Sequence, residues 1–322
     1  MLLYGIAFIA VLTAVLALMP LFARLANKLD FTDKPTERKK HKFPIPLSGG
    51  VVMFIAIFVG FLAFMIFSDG ADSALWAVPG GAALIVAVGL VDDFSKTRGK
   101  EFPVWPRLAV QIGAASIAFA AGIRFTGFTN PFTEYYIYLP FAVQYVLTIL
   151  WFVGLITAFN FMDGLDGLSG LLAMISGTTF FIVAMVMGQP ESAFMSVIFV
   201  AAIVGFLRYN LPPAKVYMGD SGAYLLGFML AAISLHGAFK QATIISLIIP
   251  MLAMGVPIFD SILVVVRRIL ARKPAHIADS SNITHIHFRL MKNGMKPSHA
   301  VMLIFLLSAC LNLVSIIVLL AF

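Results

Sequence analysis

Five short stretches carry the side chains that could do chemistry. In Val91-Asp92-Asp93-Phe94-Ser95-Lys96, two adjacent carboxylates end an apolar run. Charge near hydrocarbon is costly and is kept for a purpose or led out to water. Asn160-Phe161-Met162-Asp163-Gly164-Leu165-Asp166-Gly167-Leu168 sets two aspartates three apart, each followed by glycine. Such acids could ligate a metal or accept from a base or sugar, and a polar turn with an aspartate N-cap is the plainer reading. In Asn210-Leu211-Pro212-Pro213-Ala214-Lys215-Val216-Tyr217-Met218-Gly219-Asp220-Ser221-Gly222, two prolines stop one helix and Asp220 stands before the next. Asp220 or Ser221 could cap that helix, which leaves Lys215 and Tyr217 unexplained. Pro250, Gly255 and Pro257 interrupt a long apolar segment ahead of Asp260, which could pair with Arg267 and Arg268 or face a cavity. Last, His285, His287 and Arg289 alternate with apolar residues. In an extended loop the three would point one way and make a cationic edge for phosphate.

Together these supply oxygen ligands for a hard divalent cation, cations for phosphate oxygens and an aromatic beside an aspartate that could stack on a base. No Walker loop or dinucleotide fingerprint is present. His-x-His without a nearby cysteine is a weak zinc signal. Phosphoryl transfer fits the inventory.

The elements that must hold these residues are membrane helices. Of 322 residues, 61% are hydrophobic and 11% charged, against about 25% charged in a soluble domain. Spanning takes about 20 apolar residues. Ten segments qualify, near 2–24, 47–67, 74–91, 105–123, 139–159, 165–187, 193–209, 222–238, 241–266 and 298–321. The stretch at 112–140 has room for an extra turn or short helix, an eleventh. The expectation is an all-α polytopic bundle over residues 1–322 as a single domain, with one helix broken near Pro250–Pro257. The first segment has no positive n-region or cleavage site and reads as a retained span. Cys310 alone cannot form an intrachain disulfide.

The loops at 24–46, 92–107, 208–221 and 267–297 hold 20 of the 22 basic residues; Arg124 and Lys240 are the exceptions. The positive-inside rule puts those loops in the cytoplasm and both termini outside. Every acid in the five stretches falls on the same side, as do five of six histidines, His236 being the other. The +7 net charge is then a topology signal, and nucleic acid is not an expected partner.

In this order, and with His41, Pro44, Pro46, Gly49 and Gly50 ahead of the second span, the stretches resemble the polyprenyl-phosphate N-acetylhexosamine-1-phosphate transferases over most of the chain. His-Ile-His and Met-Gly-Asp-Ser-Gly look more like the WecA/TagO branch than the MraY branch, which transfers phospho-MurNAc-pentapeptide. The resemblance implies transfer of a sugar 1-phosphate, with N-acetylglucosamine the default, from a UDP-N-acetylhexosamine to undecaprenyl phosphate. UMP is released at the cytoplasmic face of a bacterial inner membrane. This would be the first membrane step of an envelope glycan such as O-antigen or teichoic acid. It implies Mg2+, with Mn2+ as a substitute, and allows a homodimer. By resemblance, Asp220 is the metal ligand, Asp92 meets the lipid phosphate, and Asp93 supports both. Lys96 belongs with the Asp92-Asp93 pair. Tyr217 stacks on uracil, Asp166 accepts from the base, and Asn160, Asp163 and Asn210 line the nucleotide-sugar site. His285, His287 and Arg289 hold the diphosphate or sugar. Many relatives of this branch carry a third histidine where Phe288 stands. A secondary transporter would share intramembrane acids and a broken helix, but its acids should sit at the midplane. An aromatic prenyltransferase would share Asp163-x-x-Asp166 but not the Met-Gly-Asp turn.

Overall fold

The structure is a computed structural model that describes residues 1–34, 43–67, 73–130, 133, 135–237, 244–270 and 285–321. His41, the basic residues Arg38, Lys39, Lys40, Lys42, Lys240, Arg272 and Lys273, the acids Asp69, Asp72 and Glu134, and Thr284 lie outside that set.

Among the described residues, seven helices are long and apolar enough to cross a bilayer. They are α1 (Leu2–Lys28), α2 (Gly49–Phe67), α3 (Ala77–Thr97), α5 (Phe141–Met162), α6 (Leu168–Val186), α7 (Pro190–Asn210) and α12 (Pro297–Ala321). Helix α4 (Val104–Ala120) is shorter. Helix α8 (Gly219–His236) opens with Asp220 in its first turn. The pair α9 (Ile244–Ala253) and α10 (Gly255–Leu270) is interrupted at Met254. Each of the ten apolar segments of the sequence thus has its helix or broken helix. The chain is a multi-pass, all-α membrane protein.

Helix α8 is the axis: all of Ser221–Leu235 is buried, and α3, α5 and α2 pack around it. Apolar burial in water cannot drive such packing inside lipid, so close fit and internal hydrogen bonds must hold the bundle. Two proline positions show how. Pro257 has no N–H to give the carbonyl of Ala253, four residues back. That carbonyl instead accepts from Ser176 Oγ on α6 at 2.7 Å and Asn312 Nδ2 on α12 at 3.0 Å. Asn312 is itself held by Thr179, whose hydroxyl donates to its Oδ1 at 2.6 Å. In α1, Pro20 frees the carbonyl of Leu16, and Tyr209 Oη donates to it at 3.1 Å. In lipid each of these orphaned carbonyls would otherwise cost several kcal/mol. The α9–α10 break also redirects the chain, since α9 packs on α12 and α6 whereas α10 packs on α5.

Three sequence expectations change. Among the described residues, the 112–140 stretch contains, beyond α4, no extra helix but an antiparallel hairpin of β3 (Gly127–Thr129) and β4 (Tyr136–Tyr138), following β1 (Thr32–Asp33) and β2 (Ile45–Pro46). Tyr135 and Tyr138 stand exposed there, as interfacial aromatics do. Helix α3 runs on to Thr97, so Asp92, Asp93 and Lys96 project from a helix and not from a loop. Residues 286–292 form a short helix, α11 (Ile286–Lys292), with His285 as its N-cap residue; the extended loop expected for His285, His287 and Arg289 is therefore absent. On a helix, alternate residues diverge.

Candidate active site at one end of the bundle

Helix α3 brings Asp92 and Asp93 against the start of α8, and both side chains are almost fully enclosed, at 1% and 2% exposure. They do different things. Asp93 Oδ1 accepts the backbone N–H of Asp220 at 2.7 Å. Its Oδ2 accepts the Ser221 N–H at 3.1 Å and the Ser221 hydroxyl at 2.9 Å. These are the free donors of the first turn of α8. The cap is thus supplied by another helix, and neither Asp220 nor Ser221 caps α8 with its side chain. Gly219, at φ +69°, makes the sharp entry that lets the chain pass Asp93.

Asp92 turns toward cations. Its Oδ2 accepts from Arg107 Nη1 at 3.0 Å and from Tyr224 Oη at 3.0 Å, and Lys96 Nζ lies 3.6 Å from its Oδ1. Asp220 faces it across Tyr224, whose hydroxyl is 3.2 Å from Asp220 Oδ2. Asp220 also pairs with Lys96, and Asn160 Nδ2 at the end of α5 donates to its Oδ1 at 3.3 Å. Two carboxylates thus share Lys96, with Arg107 on Asp92, at one spot where α3, α4, α5 and α8 meet. Buried charges persist only when paired in this way.

The surrounding loops are tied by the other predicted residues. Asn210 Oδ1 accepts the Gly167 N–H at 3.0 Å, and its amide donates to the Val216 carbonyl at 2.9 Å. Asp166 Oδ2 accepts the Ala214 N–H at 3.0 Å, and Tyr217 hydrogen-bonds the same carboxylate. Burial first, then Asp166, Asp33 and Asp163, hold the Tyr217 phenol well above its usual range. Asp163 accepts from Ser169 Oγ at 2.7 Å. Burial pushes its carboxyl up to about 8 against the Ser169 hydrogen bond, and the charges of Asp220, Asp93 and Asp166 push it the same way. The entry to α2 is zipped to the entry to α8, with Tyr217 N–H on the Pro46 carbonyl at 3.0 Å and Gly49 N–H on the Tyr217 carbonyl at 3.0 Å.

The histidine stretch lies beside the Asp-Gly turn. His285 Nδ1 is 2.7 Å from Asp260 Oδ2, and Asp260 Oδ1 accepts the Ile286 N–H at 2.8 Å. Asp260 therefore orients His285 and caps α11. His287 is fully enclosed, stacked 5.8 Å from His285, and neither ring nitrogen has a hydrogen-bond partner among the described residues. Burial, then the neighbouring His285, lower His287 to about 4, against the pull of Asp260. Its enclosure favours the neutral ring. Arg289 is exposed at the rim.

Tyr224, Arg107, Ser169 and Asp260, the partner of His285, are absent from the sequence-based site. Tyr224 falls four residues after Asp220, on one helix face, which is a usable signal. Arg107 is counted there only for topology.

Among the described residues, no three His, Cys, Asp or Glu side chains gather to hold a metal. Mg2+ commonly takes only one or two carboxylates, with water and substrate phosphate completing the shell. Asp92 and Asp220 are such a pair, and Asp92 Oδ1 has no hydrogen-bond partner among the described residues. The residues present fit a hard cation.

Fold and site define a multi-pass membrane protein with a paired-carboxylate centre flanked by cations at one end of its helices. Residues 75–238, which include Asp92 through Tyr224, match the model of glycosyl transferase family 4. The chain belongs to that family. It is 35% identical over 312 residues to a probable undecaprenyl-phosphate N-acetylglucosaminyl 1-phosphate transferase of Bacillus subtilis, covering 97% of this chain and 84% of that one. A decaprenyl-phosphate N-acetylglucosaminephosphotransferase of Mycobacterium leprae is 32% identical over 88% of this chain and 75% of its own. A phospho-N-acetylmuramoyl-pentapeptide-transferase of Listeria monocytogenes is 32% identical over 72% and 73%.

Proposed function

We propose that this protein transfers N-acetylglucosamine 1-phosphate from UDP-N-acetylglucosamine to a polyprenyl phosphate such as undecaprenyl phosphate, at the cytoplasmic face of the membrane. The observation that carries the reading is the Asp92–Asp220 pair, held with Lys96 and Arg107 at a helix end where a lipid phosphate and a soluble nucleotide sugar can meet. The activities by which its relatives are named support it. The cytoplasmic side follows from the basic loops.

An oxygen of the lipid phosphate bonds to the β-phosphorus of the UDP-sugar. The bond from that phosphorus to the bridging oxygen breaks, and UMP leaves with the electron pair. Lys96, Arg107 and the loop of Lys215 supply positive charge along the phosphates. Asp92 Oδ1, which accepts no hydrogen bond among the described residues, orients the lipid phosphate and takes its proton when it arrives monoanionic. Asp92 and Asp220 would hold Mg2+, or Mn2+ in its place, which when bound neutralises charge on the phosphates. Asn160 keeps Asp220 in position. Asp166 and Tyr217 border the uracil end, and His285 with Arg289 the sugar or diphosphate end. Direct attack is favoured over an aspartyl-phosphate, because the paired carboxylates are already needed to hold the cation and the lipid phosphate.

The test is transfer by the purified protein in vesicles. Labelled UDP-N-acetylglucosamine, undecaprenyl phosphate and Mg2+ should give equimolar UMP and labelled lipid. UDP-MurNAc-pentapeptide offered in parallel separates the MraY-like alternative. Substrate uptake without UMP would overturn the reading in favour of transport.

A further inference from the structure

We propose that Tyr224 is a positioning residue for this transfer, whose hydroxyl fixes the Asp92 carboxylate so that Oδ1, and not Oδ2, is presented to the lipid phosphate. The inference rests on the function proposed above.

Tyr224 sits one turn after Asp220 on α8 and is 1% exposed. A buried phenol needs partners for its hydroxyl. Here it finds three: Arg107 Nη1 donates to it at 3.2 Å, and Asp92 Oδ2 and Asp220 Oδ2 lie 3.0 and 3.2 Å away as acceptors. The hydroxyl has one proton and so donates to one carboxylate at a time. Its oxygen is within hydrogen-bond reach of both acids, which also contact each other.

The consequence falls on Asp92. A carboxylate turns easily about its last torsion, where rotamers are broad and two-fold. Alone, its two oxygens would be equivalent. Tyr224 and Arg107 both bind Oδ2, and Oδ1 is left buried with no hydrogen-bond donor among the described residues and Lys96 at 3.6 Å. The asymmetry is built by the protein. A phenylalanine would fill the same apolar space on α8, so packing does not call for the hydroxyl. Among the described residues, its bonds run to the two acids and to the arginine that also holds Asp92.

The experiment is Tyr224→Phe in reconstituted protein, run once wild-type transfer to undecaprenyl phosphate is established. Failure of the wild type would count against the function and not against Tyr224. Loss of a hydrogen bond to a charged group corresponds to roughly 10- to 100-fold in rate. The expected result is a fall of that size in kcat, with KM for both substrates within about twofold. In the Asp92→Asn background the same change should lower the residual rate by less than about twofold, because Tyr224 acts through Asp92. An unchanged kcat in Tyr224→Phe overturns the proposal. So does the full loss repeated in Asp92→Asn, or a Tyr224→Phe protein that does not fold, which would make the hydroxyl structural.

Discussion

Asp93, near the end of α3, accepts the backbone N–H of Asp220 at 2.7 Å, so one acid of the site places the other. With Ser221 on its second oxygen, the Asp93 carboxylate closes the first turn of α8 from outside that helix. The adjacent acids thereby differ in their contacts: Asp93 closes the corner of α8, and Asp92 faces the cations.

Replacing Asp93 tests that difference. Asp93→Ala leaves buried donors unmet and should lower stability by about 1–3 kcal/mol. Asp93→Asn keeps one accepting oxygen and should lose less. Thermal unfolding in detergent reads both, and transfer activity should fall in the same order. An Asp93→Ala protein as stable as wild type yet inactive would show instead that Asp93 touches substrate.

Asp163 gives a pH signature. Its carboxyl is raised from 3.8 to about 8, with burial the largest cause. A raised acid contributes stability that is fully present below the unfolded value and is lost as pH rises through the folded one. Stability should therefore decline between about pH 4 and pH 8 through this group. Asp163→Asn should flatten that part of the profile, measured as melting temperature from pH 5 to 8.5. An unaltered slope would remove Asp163 as its source.

His287 and Gly164 form a contact that admits no side chain. A Cβ on Gly164 would run into His287 Nε2, and the ring has no room to retreat in its enclosed place. Gly164→Ala should push α11 off the Asp-Gly turn and cut activity by more than about tenfold, a loss larger than any in melting temperature would explain. His287 itself is lowered to about 4 by burial. The stability this neutral ring contributes is present above its unfolded value near 6.5 and is lost as pH falls through 4. His287→Leu should lose less stability than wild type over that acid window.

Much of this was legible in the sequence, because membranes impose simple rules. Ten apolar segments became ten helices or broken helices, and Pro257 broke its helix for want of one N–H. Partners across elements were less legible. The sequence leaves Asp260 open between Arg267 and Arg268, about 10 Å along a helix, and a cavity; its partner His285 lies 25 residues on, where no local pattern points. The histidines alternate like a strand, yet Asp260 caps a helix there. Arg107 contributed a charge to a loop count, and its contact with Asp92 depends on how α4 turns back along α3. The freed carbonyls were invisible as well, since nothing near Asn312 points to Ala253.

That last pair makes another prediction. Asn312→Leu takes a donor from the Ala253 carbonyl and orphans the Thr179 hydroxyl. It should cost about 1–3 kcal/mol. Because α10 carries Asp260, turnover should also fall. Denaturant unfolding and activity on the same sample check both, and full stability would mean that Ser176 alone suffices.

The central claim is that Asp220, paired with Asp92 and Lys96, is where sugar-1-phosphate transfer occurs. The most direct measurement is formation of labelled polyprenyl-diphospho-sugar by wild type and Asp220→Ala side by side, with Mg2+ and matched amounts of folded protein. The account predicts equimolar UMP and lipid product from the wild type and a loss of at least about 1,000-fold in the variant. Comparable turnover by Asp220→Ala would contradict it.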